Sequence, residues 1–550
     1  MSRALFLLLT WTIAASAPLQ GQPEIVPAEH RVYEWMADQR VAGHLPEYRH
    51  ETLPYDRLTV RQHLDSLATR SSDLGASSRY WLDQFRREFF EPLDRVHSYV
   101  GDGQAGILDF EAERTFLYTR NDDWRVSVWG EGAVENRSSE GPVDAGGLSR
   151  SARLTFEASW RNTVGLYTST INGVQVSGDA SVLLADPRLA PLYFVARDPT
   201  NVQGPFDQTS ASLRVVEGPF SAEIANQRLR FGASADAPML LTDNADYLPF
   251  VRLGLKTRSV TVQAIHAALS SPSRTVITDD GDLFFESPDR FLAMHRLEVQ
   301  PFGWFSAAFT EAVVYGRRGP EIAYLNPLYP VEAAEHALWD RDNALFTLEG
   351  TVRPLRGLEA YGTWLVDDLA TSTLGDGDYG NKWGLQGGVQ LSVASTGVTA
   401  FGEYTRIEPY TYTHRFQEDG FFFNSYVHND FGLGHPIGPN ADQWLAGVQA
   451  WLPFRARGRV AARYRRQGRN PVDPVTGEAT NIGGDVNDGR APADGTKRFL
   501  AGDVFSGPGF QGTLEVEPAR GVALRLFADA QFWDDRPNDV FVRFGLAVRP

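Results

Sequence analysis

The sequence predicts an all-β transmembrane barrel of about 18 antiparallel strands, preceded by a small α-helical domain. Three observations carry this. From about Asp109 to the last residues, short segments alternate apolar and polar side chains with a period of two. The connections between those segments alternate between short turns and long loops. After the N-terminal leader, no stretch is apolar and long enough to span a bilayer as a helix, so a spanning chain has to close into a barrel.

Phe291–Leu369 shows the pattern most clearly. Leu292–Gln300 and Trp304–Tyr315 make one hairpin, and Ala344–Arg353 and Leu358–Asp367 make a second. Leu358, Ala360, Gly362, Trp364 and Val366 point one way. Glu359, Tyr361, Thr363 and Asp367 point the other, with Leu365 as an apolar interruption. In a soluble sandwich the apolar face would be core; in a membrane barrel it meets lipid and the polar face lines a lumen.

The spacing of the connections favours the barrel. Short ones fall at Arg161-Asn162, Gly218-Pro219, Thr257-Arg258, Pro301–Gly303, Pro354–Gly357, Ala394–Thr396, Phe454–Gly458 and Glu517–Gly521. Long ones fall between them, at Gly173–Thr209, Gly232–Pro249, Ser270–Arg290, Gly316–Asn343, Ala370–Lys382, Glu408–Ala441 and Gln467–Lys497. Outer-membrane barrels have short periplasmic turns and long outer loops. Eight short turns imply sixteen strands, and an opening and a closing strand bring the total to about 18. Leu108–Tyr118 also has strand character; it reads as a link on the periplasmic side, not a spanning strand.

The N-terminal part divides in two. Residues 1–22 have a basic start, an apolar run from Ala4 to Ala17 and small residues after it, the pattern of a secretory signal peptide. Residues 23–107 have helical periodicity and read as a periplasmic domain of about three helices. Val32, Trp35, Met36 and Gln39 share a face, Thr59 and Gln62 suggest a capping box, and Ser78 is placed to cap a helix carrying Trp81, Phe85 and Phe89. The aromatic stripe reads as core and the charges as a solvated face. Residues 108–550 then form the barrel.

Composition excludes several functions. The net charge of −17 argues against nucleic acid as a partner. The absence of cysteine excludes disulfides and thiolate metal sites. Asp376-Gly377-Asp378 and Asp485–Gly489 resemble fragments of calcium loops, but neither has the full twelve-residue pattern with its closing Glu, so no metal or other cofactor is expected. No His-Glu-x-x-His or Gly-x-Ser-x-Gly motif is present, and His336 reads as a loop hydrogen-bonding residue. The chain is not expected to be an enzyme.

Charged rows on the strands belong inside the barrel. Arg459, Arg463 and Arg465 share one face, Arg525 and Asp529 another, and Arg296 and Glu298 a third. An Arg or Lys facing lipid at mid-membrane costs about 2–4 kcal/mol, so such rows are tolerable only toward the lumen.

Three groups of residues resemble one family, the Wzi-type capsule-assembly outer-membrane proteins. They are Asn226–Gly232 with Met239–Ala245; His295–Glu298 with Thr310–Gly316; and Ala323–Tyr329 with Asp342-Asn343, Arg353–Leu355 and Gly357–Gly362. The helical front is similar in kind to that family's periplasmic region. Gly232-Ala233-Ser234 departs from the family's usual Gly-Pro-Gly. The resemblance implies an 18-stranded barrel and a lectin-like, non-enzymatic role in holding capsular polysaccharide at the surface of a diderm bacterium.

The expected contacts, in a polysaccharide site or a lumen network, are Arg228, Arg230, Asp243, Asn244, Arg296, Glu298, Glu311, Tyr324, Asn326, Tyr329, Glu349, Arg353 and Arg463. Surface polysaccharide and outer-membrane lipid are the expected partners of a monomer. The alternative is a channel for small polar solutes, which an open lumen would favour over a plugged one.

Overall fold

The computed structural model describes residues 22–192, 204–270, 274–277, 283–286, 289–339, 341–369, 371–373, 375–393, 395–417 and 422–550. The expected leader lies outside them but for Gln22, as do Ala394 and parts of several long loops. Eighteen antiparallel strands form one closed barrel. They are β1 (Trp124–Glu140), β2 (Ala145–Trp160), β3 (Val164–Gly178), β4 (Phe206–Glu217), β5 (Phe220–Gln227) and β6 (Leu248–Lys256). Next come β7 (Val260–Leu269), β8 (Arg290–Phe302), β9 (Phe305–Gly316), β10 (Asn343–Leu355), β11 (Leu358–Asp368) and β12 (Lys382–Val393). The last six are β13 (Val398–Ile407), β14 (Ala441–Leu452), β15 (Ala456–Arg469), β16 (Asp503–Ala519), β17 (Val522–Gln531) and β18 (Asp539–Val548).

Sequential neighbours pair throughout, and β18 closes on β1 with Val540 opposite Glu140 and Val548 opposite Gly132. The strand Glu113–Arg120 pairs with the foot of β1, through Leu117–Val128 to Arg120–Arg125, and in parallel with the short strand Val96–Gly101 on its other edge. It sits below the end of β18 and does not span, which keeps the number of spanning strands at 18.

The short turns are tighter than their composition suggests. Strands run through Pro301-Phe302 and Pro354-Leu355, leaving Gly303-Trp304 and Arg356-Gly357 as two-residue turns. On the opposite side two connections escaped the parity of lengths: residues 141–144 between β1 and β2, and 532–538 between β17 and β18. Both are short, and they flank the seam.

The two faces of the wall differ as the alternation requires. Leu253, Leu297, Leu348, Val460, Leu526 and Phe544 are exposed on the outside. Aromatics such as Trp160, Phe220, Trp304 and Phe454 stand at the short-turn end, and Trp364, Trp444 and Tyr464 near the other. A continuous apolar wall with aromatic borders is a surface suited to a bilayer.

The inside is only partly polar. Leu365, the interruption in β11, packs with Phe250, Ile265, Leu292, Met294 and Leu345 against Leu229, Phe231, Leu240, Leu241, Tyr412 and Tyr426. Two long loops thus fold into the barrel and pack an apolar core against one side of its upper lumen.

The helices α1 (Val32–Val41), α2 (Arg57–Thr69) and α3 (Ala76–Phe90) close the short-turn end. Their apolar cluster of Trp35, Tyr48, Leu64, Trp81 and Phe85 extends to Trp451 of the wall. Two expected caps are corrected. Asp56, not Thr59, caps α2, its carboxylate accepting from the Thr59 N–H at 2.7 Å. α3 begins after Gly75 with no side-chain cap, and Ser78 lies buried within its first turn.

The expectation of a solvated charged face on these helices holds only in part. Glu34, Arg79 and Asp83 are exposed, but Asp38, Arg40 and Arg57, with Arg49 and Glu51 of the connecting segment, are buried. Each buried group is turned toward charged or polar groups of the barrel wall or of the plug itself, because a lumen offers a buried charge partners that water would otherwise supply.

Candidate functional site

The plug is fastened by ion pairs between long-separated residues. Arg40 reaches Glu51 at 2.8 Å and Glu359 of β11 at 2.6 Å. Arg296 forks onto both carboxylate oxygens of Glu349 at 2.8 Å and donates to Thr52 Oγ1 at 3.0 Å. Glu298 accepts from Thr52 Oγ1 at 2.7 Å, and Arg353 donates to Glu359 at 3.2 Å. Asp38 accepts from Gln449 Nε2 at 2.6 Å and from Trp451 Nε1 at 2.7 Å. Burial pushes the Asp38 carboxyl up to about 7. Trp81 donates to the Leu452 carbonyl at 2.9 Å and packs edge-on against Trp451.

Above this floor lies a cavity of about 760 Å³. Its floor includes Glu34, Ala37 and Trp451, and its upper margin includes Ser139–Glu140, Pro142-Val143 and Asp539–Phe541. The margin therefore lies beside the two shortest loop-side connections, where little chain is available to cover the lumen.

The segment after β5 shapes one wall of the cavity. Leu229 and Phe231 are anchored in the apolar cluster. Arg230-Phe231 pairs antiparallel with Thr52-Leu53 of the plug. In an extended segment alternate side chains oppose each other, so anchoring Leu229 and Phe231 turns Arg228 and Arg230 to the cavity. Gly232 follows at φ 124°, where a Cβ would come within 2.7 Å of the Pro238 side chain. Two residues on, the Ser234 hydroxyl donates to Glu403 at 2.8 Å, so this side chain helps fix the turn.

Four guanidinium groups in the cavity form no direct ion pair with a carboxylate among the described residues. Arg228 lies over the Tyr247 ring at 5.3 Å, and its buried Nε and Nη2 have no hydrogen-bond acceptor. Arg230 donates to the Ser234 and Asp236 carbonyls at 3.1 and 3.2 Å. Arg459 donates to Gln511 at 2.7 Å and the Ala235 carbonyl at 2.8 Å, above the Phe401 ring. Arg465 donates to Gln443 at 2.8 Å. Arg463 differs: Asp529 holds it through contacts of 2.9 and 2.6 Å. Asp243 and Asn244 line the cavity too, and Asn244 ties its loop to the Gly432 carbonyl at 2.9 Å. The lining as a whole carries seven arginines and six carboxylates, and Asp236 attracts Arg459 and Arg465 without touching them, so the basic character lies in these guanidinium groups and not in the cavity's net charge.

The sequence-derived residues thus separate into three groups. Arg228, Arg230, Asp243, Asn244 and Arg463 meet at the cavity. Arg296, Glu298, Glu349 and Arg353 bind plug to wall. Glu311, Tyr324, Asn326 and Tyr329 lie outside the lumen, contrary to their assignment to a lumen network. Glu311 shares the outward face of β9 with the exposed Phe309 and pairs with His295 at 3.0 Å. Tyr324 is buried in a small cluster with outward-facing Ala293, Val313 and Tyr315, and Tyr329 packs beside it. The loop carrying Tyr324, Asn326 and Tyr329 folds over the outer wall, a direction that strand periodicity does not encode.

Arg459 and Arg465 were recognisable as inward-facing from the alternation of β15. Asp38 and Arg40 were not, because a buried charge on a plug helix has the same sequence signature as a solvated one. Asp378 and Asp488, from the two acidic loop motifs, serve local turns and an ion pair with Arg490. No group of three or more potential metal-ligating side chains occurs among the described residues.

The family model described as capsule assembly protein Wzi matches residues 196–496, more than half of the chain. The solved structure of Wzi from Escherichia coli, described as a carbohydrate-binding β-barrel of the outer membrane involved in group 1 capsule assembly, is similar over the whole length. It shares 12% identity, with 96% of this chain and 99% of that one covered and a TM-score of 0.59, and so shows the same fold. OprD from Pseudomonas aeruginosa shares 10% identity over 77% of this chain and 95% of that one, with a TM-score of 0.42, too distant a likeness to bear on function. No curated relative matches. The residues that resembled the Wzi-type proteins thus sit in a barrel of the same strand number, and the chain belongs to the Wzi capsule-assembly family.

Proposed function

We propose that this protein binds acidic surface polysaccharide in its arginine-bearing cavity and holds it at the cell surface during capsule assembly, without chemical turnover. The observation that carries this is the set of four arginines, Arg228, Arg230, Arg459 and Arg465, none in a direct ion pair with a carboxylate among the described residues, in a cavity whose floor is the helical plug. Carboxylate or phosphate substituents of a polymer would complete those guanidinium groups, and sugar hydroxyls would bond to Asp243 and the loop backbone. The buried, unpartnered nitrogens of Arg228 make it the strongest single anchor. The barrel stands in the outer membrane as a monomer, with the plug toward the periplasm and the long loops outward.

Calorimetric titration of the detergent-solubilised protein with the organism's own surface polysaccharide tests this. Binding should weaken with added salt, fall at least tenfold for a carboxyl-reduced polymer, and fall likewise for the Arg228→Met, Arg459→Met double variant. Equal affinity of wild type and variant would overturn the assignment. A large steady conductance in planar bilayers would favour the channel alternative.

A further inference from the structure

The loop from Arg317 to Asp342 is built onto the outer wall. Its two short helices, α4 (Ile322–Leu325) and α5 (Val331–Ala337), place Tyr324, Val331 and Ala334 on Ala293, Val313 and Tyr315. A polar clamp holds the loop there. Tyr315 Oη meets His266 Nε2 at 2.6 Å and accepts from the Glu321 N–H at 2.9 Å. Tyr324 donates to Asp342 at 2.7 Å, and Arg318 reaches the same carboxylate at 3.0 Å.

So fastened, the loop leaves large apolar side chains uncovered. Ile322 is 80%, Leu328 90% and Trp339 89% exposed. They continue the apolar outer wall instead of turning from it. Between loop and wall lies a groove of about 690 Å³. Its wall side is apolar: Phe309, Phe346, Leu348, Trp364 and Val366. Its other margin is mostly acidic, with Glu332, Glu335, Asp342, Asp367 and Asp368, while Lys382 is buried beside Asp368 at 3.8 Å and donates to the Thr413 carbonyl at 3.1 Å. Arg415, at the same margin, is exposed and forms no ion pair among the described residues.

We propose that this groove holds a glycolipid of the outer leaflet. An acyl chain lies along Phe346, Leu348 and Trp364, and a phosphorylated sugar headgroup lies at the polar margin. The apolar side of the groove is part of the outward face of β9, β10 and β11, so the hydrocarbon of a membrane lipid reaches it directly. The margin suits a headgroup with many hydroxyls and few acidic groups: Glu332 and Asp368 accept from hydroxyls, while the exposed Arg415 meets phosphate. A headgroup bearing phosphate alone would leave the carboxylates facing like charge. Ile322, Leu328 and Trp339 seat the loop among neighbouring acyl chains, as interfacial apolar side chains do. The inference rests on the loop end facing outward but not on polysaccharide binding in the lumen.

Native mass spectrometry of the protein in phosphatidylethanolamine nanodiscs doped with lipid A, an acylated and phosphorylated glucosamine disaccharide, tests the groove. One lipid A should stay bound per barrel, and phosphatidylglycerol added at the same level should not replace it. Arg415→Gln should lower retention several-fold, and Phe346→Ala with Val366→Ala should abolish it. Arg161→Gln, at an exposed short turn, should leave it unchanged. Heat-modifiable electrophoretic mobility confirms that each variant retains its barrel, and polysaccharide titration in the lumen should be unaffected. Equal retention in the groove variants and wild type, or equal retention of phosphatidylglycerol, would overturn the proposal.

Discussion

Replacing Arg40 by methionine should release the plug from the wall. Arg40 is 2% exposed and bridges Glu51 of the plug to Glu359 of β11. Methionine matches much of its volume and carries no charge, so both carboxylates lose their shared cation. Removing one partner of a buried pair costs about 3–5 kcal/mol. Here the cost belongs at the low end, near 3 kcal/mol, because each acid keeps another contact: Glu51 with Thr351 Oγ1 at 3.1 Å and Glu359 with Arg353 at 3.2 Å. At about 1.4 kcal/mol per tenfold, plug opening becomes roughly 100-fold more frequent. Hydrogen–deuterium exchange in detergent micelles reads this directly. Amides of α1 should exchange roughly 100-fold faster, while those in the loop-end halves of the strands keep their protection. Adding Glu51→Gln should restore part of the loss, because Glu51 is the carboxylate left without a direct cation, whereas Glu359 keeps Arg353. A change below about threefold in α1 would refute the idea that this bridge holds the plug.

Other perturbations read neighbouring parts of the structure. Asp38 is raised by burial to about 7, so between pH 4 and 7 the folded protein holds a proton that the unfolded chain has released. Wild-type plug stability relative to Asp38→Asn should therefore fall as pH rises through that window and level off above 7; a flat difference in denaturant titrations would contradict the assignment. Trp81→Ala removes an edge-on contact with Trp451 and a hydrogen bond to the Leu452 carbonyl, and should cost about 3–5 kcal/mol in the same exchange measurement. Asp56→Ala removes the α2 cap and should cost only about 1 kcal/mol. Val460→Arg, on the outer face beside inward-facing Arg459, should cost about 2–4 kcal/mol in urea titrations in phospholipid vesicles, and far less if that face meets water.

Much of the wall was legible because a strand with two unlike environments must alternate. Leu358–Asp368 shows its faces residue by residue, and Leu365 became intelligible once two loops were seen to pack an apolar core inside the barrel. Turn positions were clear from Gly, Pro and Asn, although the strands ran one or two residues further into them. The cavity was half legible: Arg228 and Arg230 drew notice as charges at a strand end, and Arg459 and Arg465 by parity. Loop direction was not. Tyr324 and Tyr329 have the composition of a sugar site, yet their loop turns outward because Tyr315 and Val313 offer it an apolar seat on the wall. The plug's ion pairs were equally hidden, since Arg40 and Glu359 are 319 positions apart and no local pattern joins them.

The lipid-facing wall is tested most directly by nitroxide accessibility, which the absence of native cysteine makes simple. Single cysteines would replace outward Leu253, Leu297, Val460 and Leu526, and inward Ser212, Thr261, Thr347 and Thr363, in the vesicle-reconstituted protein. Labels at the outward positions should collide freely with dissolved oxygen and hardly at all with a water-soluble nickel chelate, while the inward positions show little collision with oxygen. Outward labels that meet the chelate as readily as a label in an exposed loop would mean that this face touches water, and the membrane barrel would be wrong.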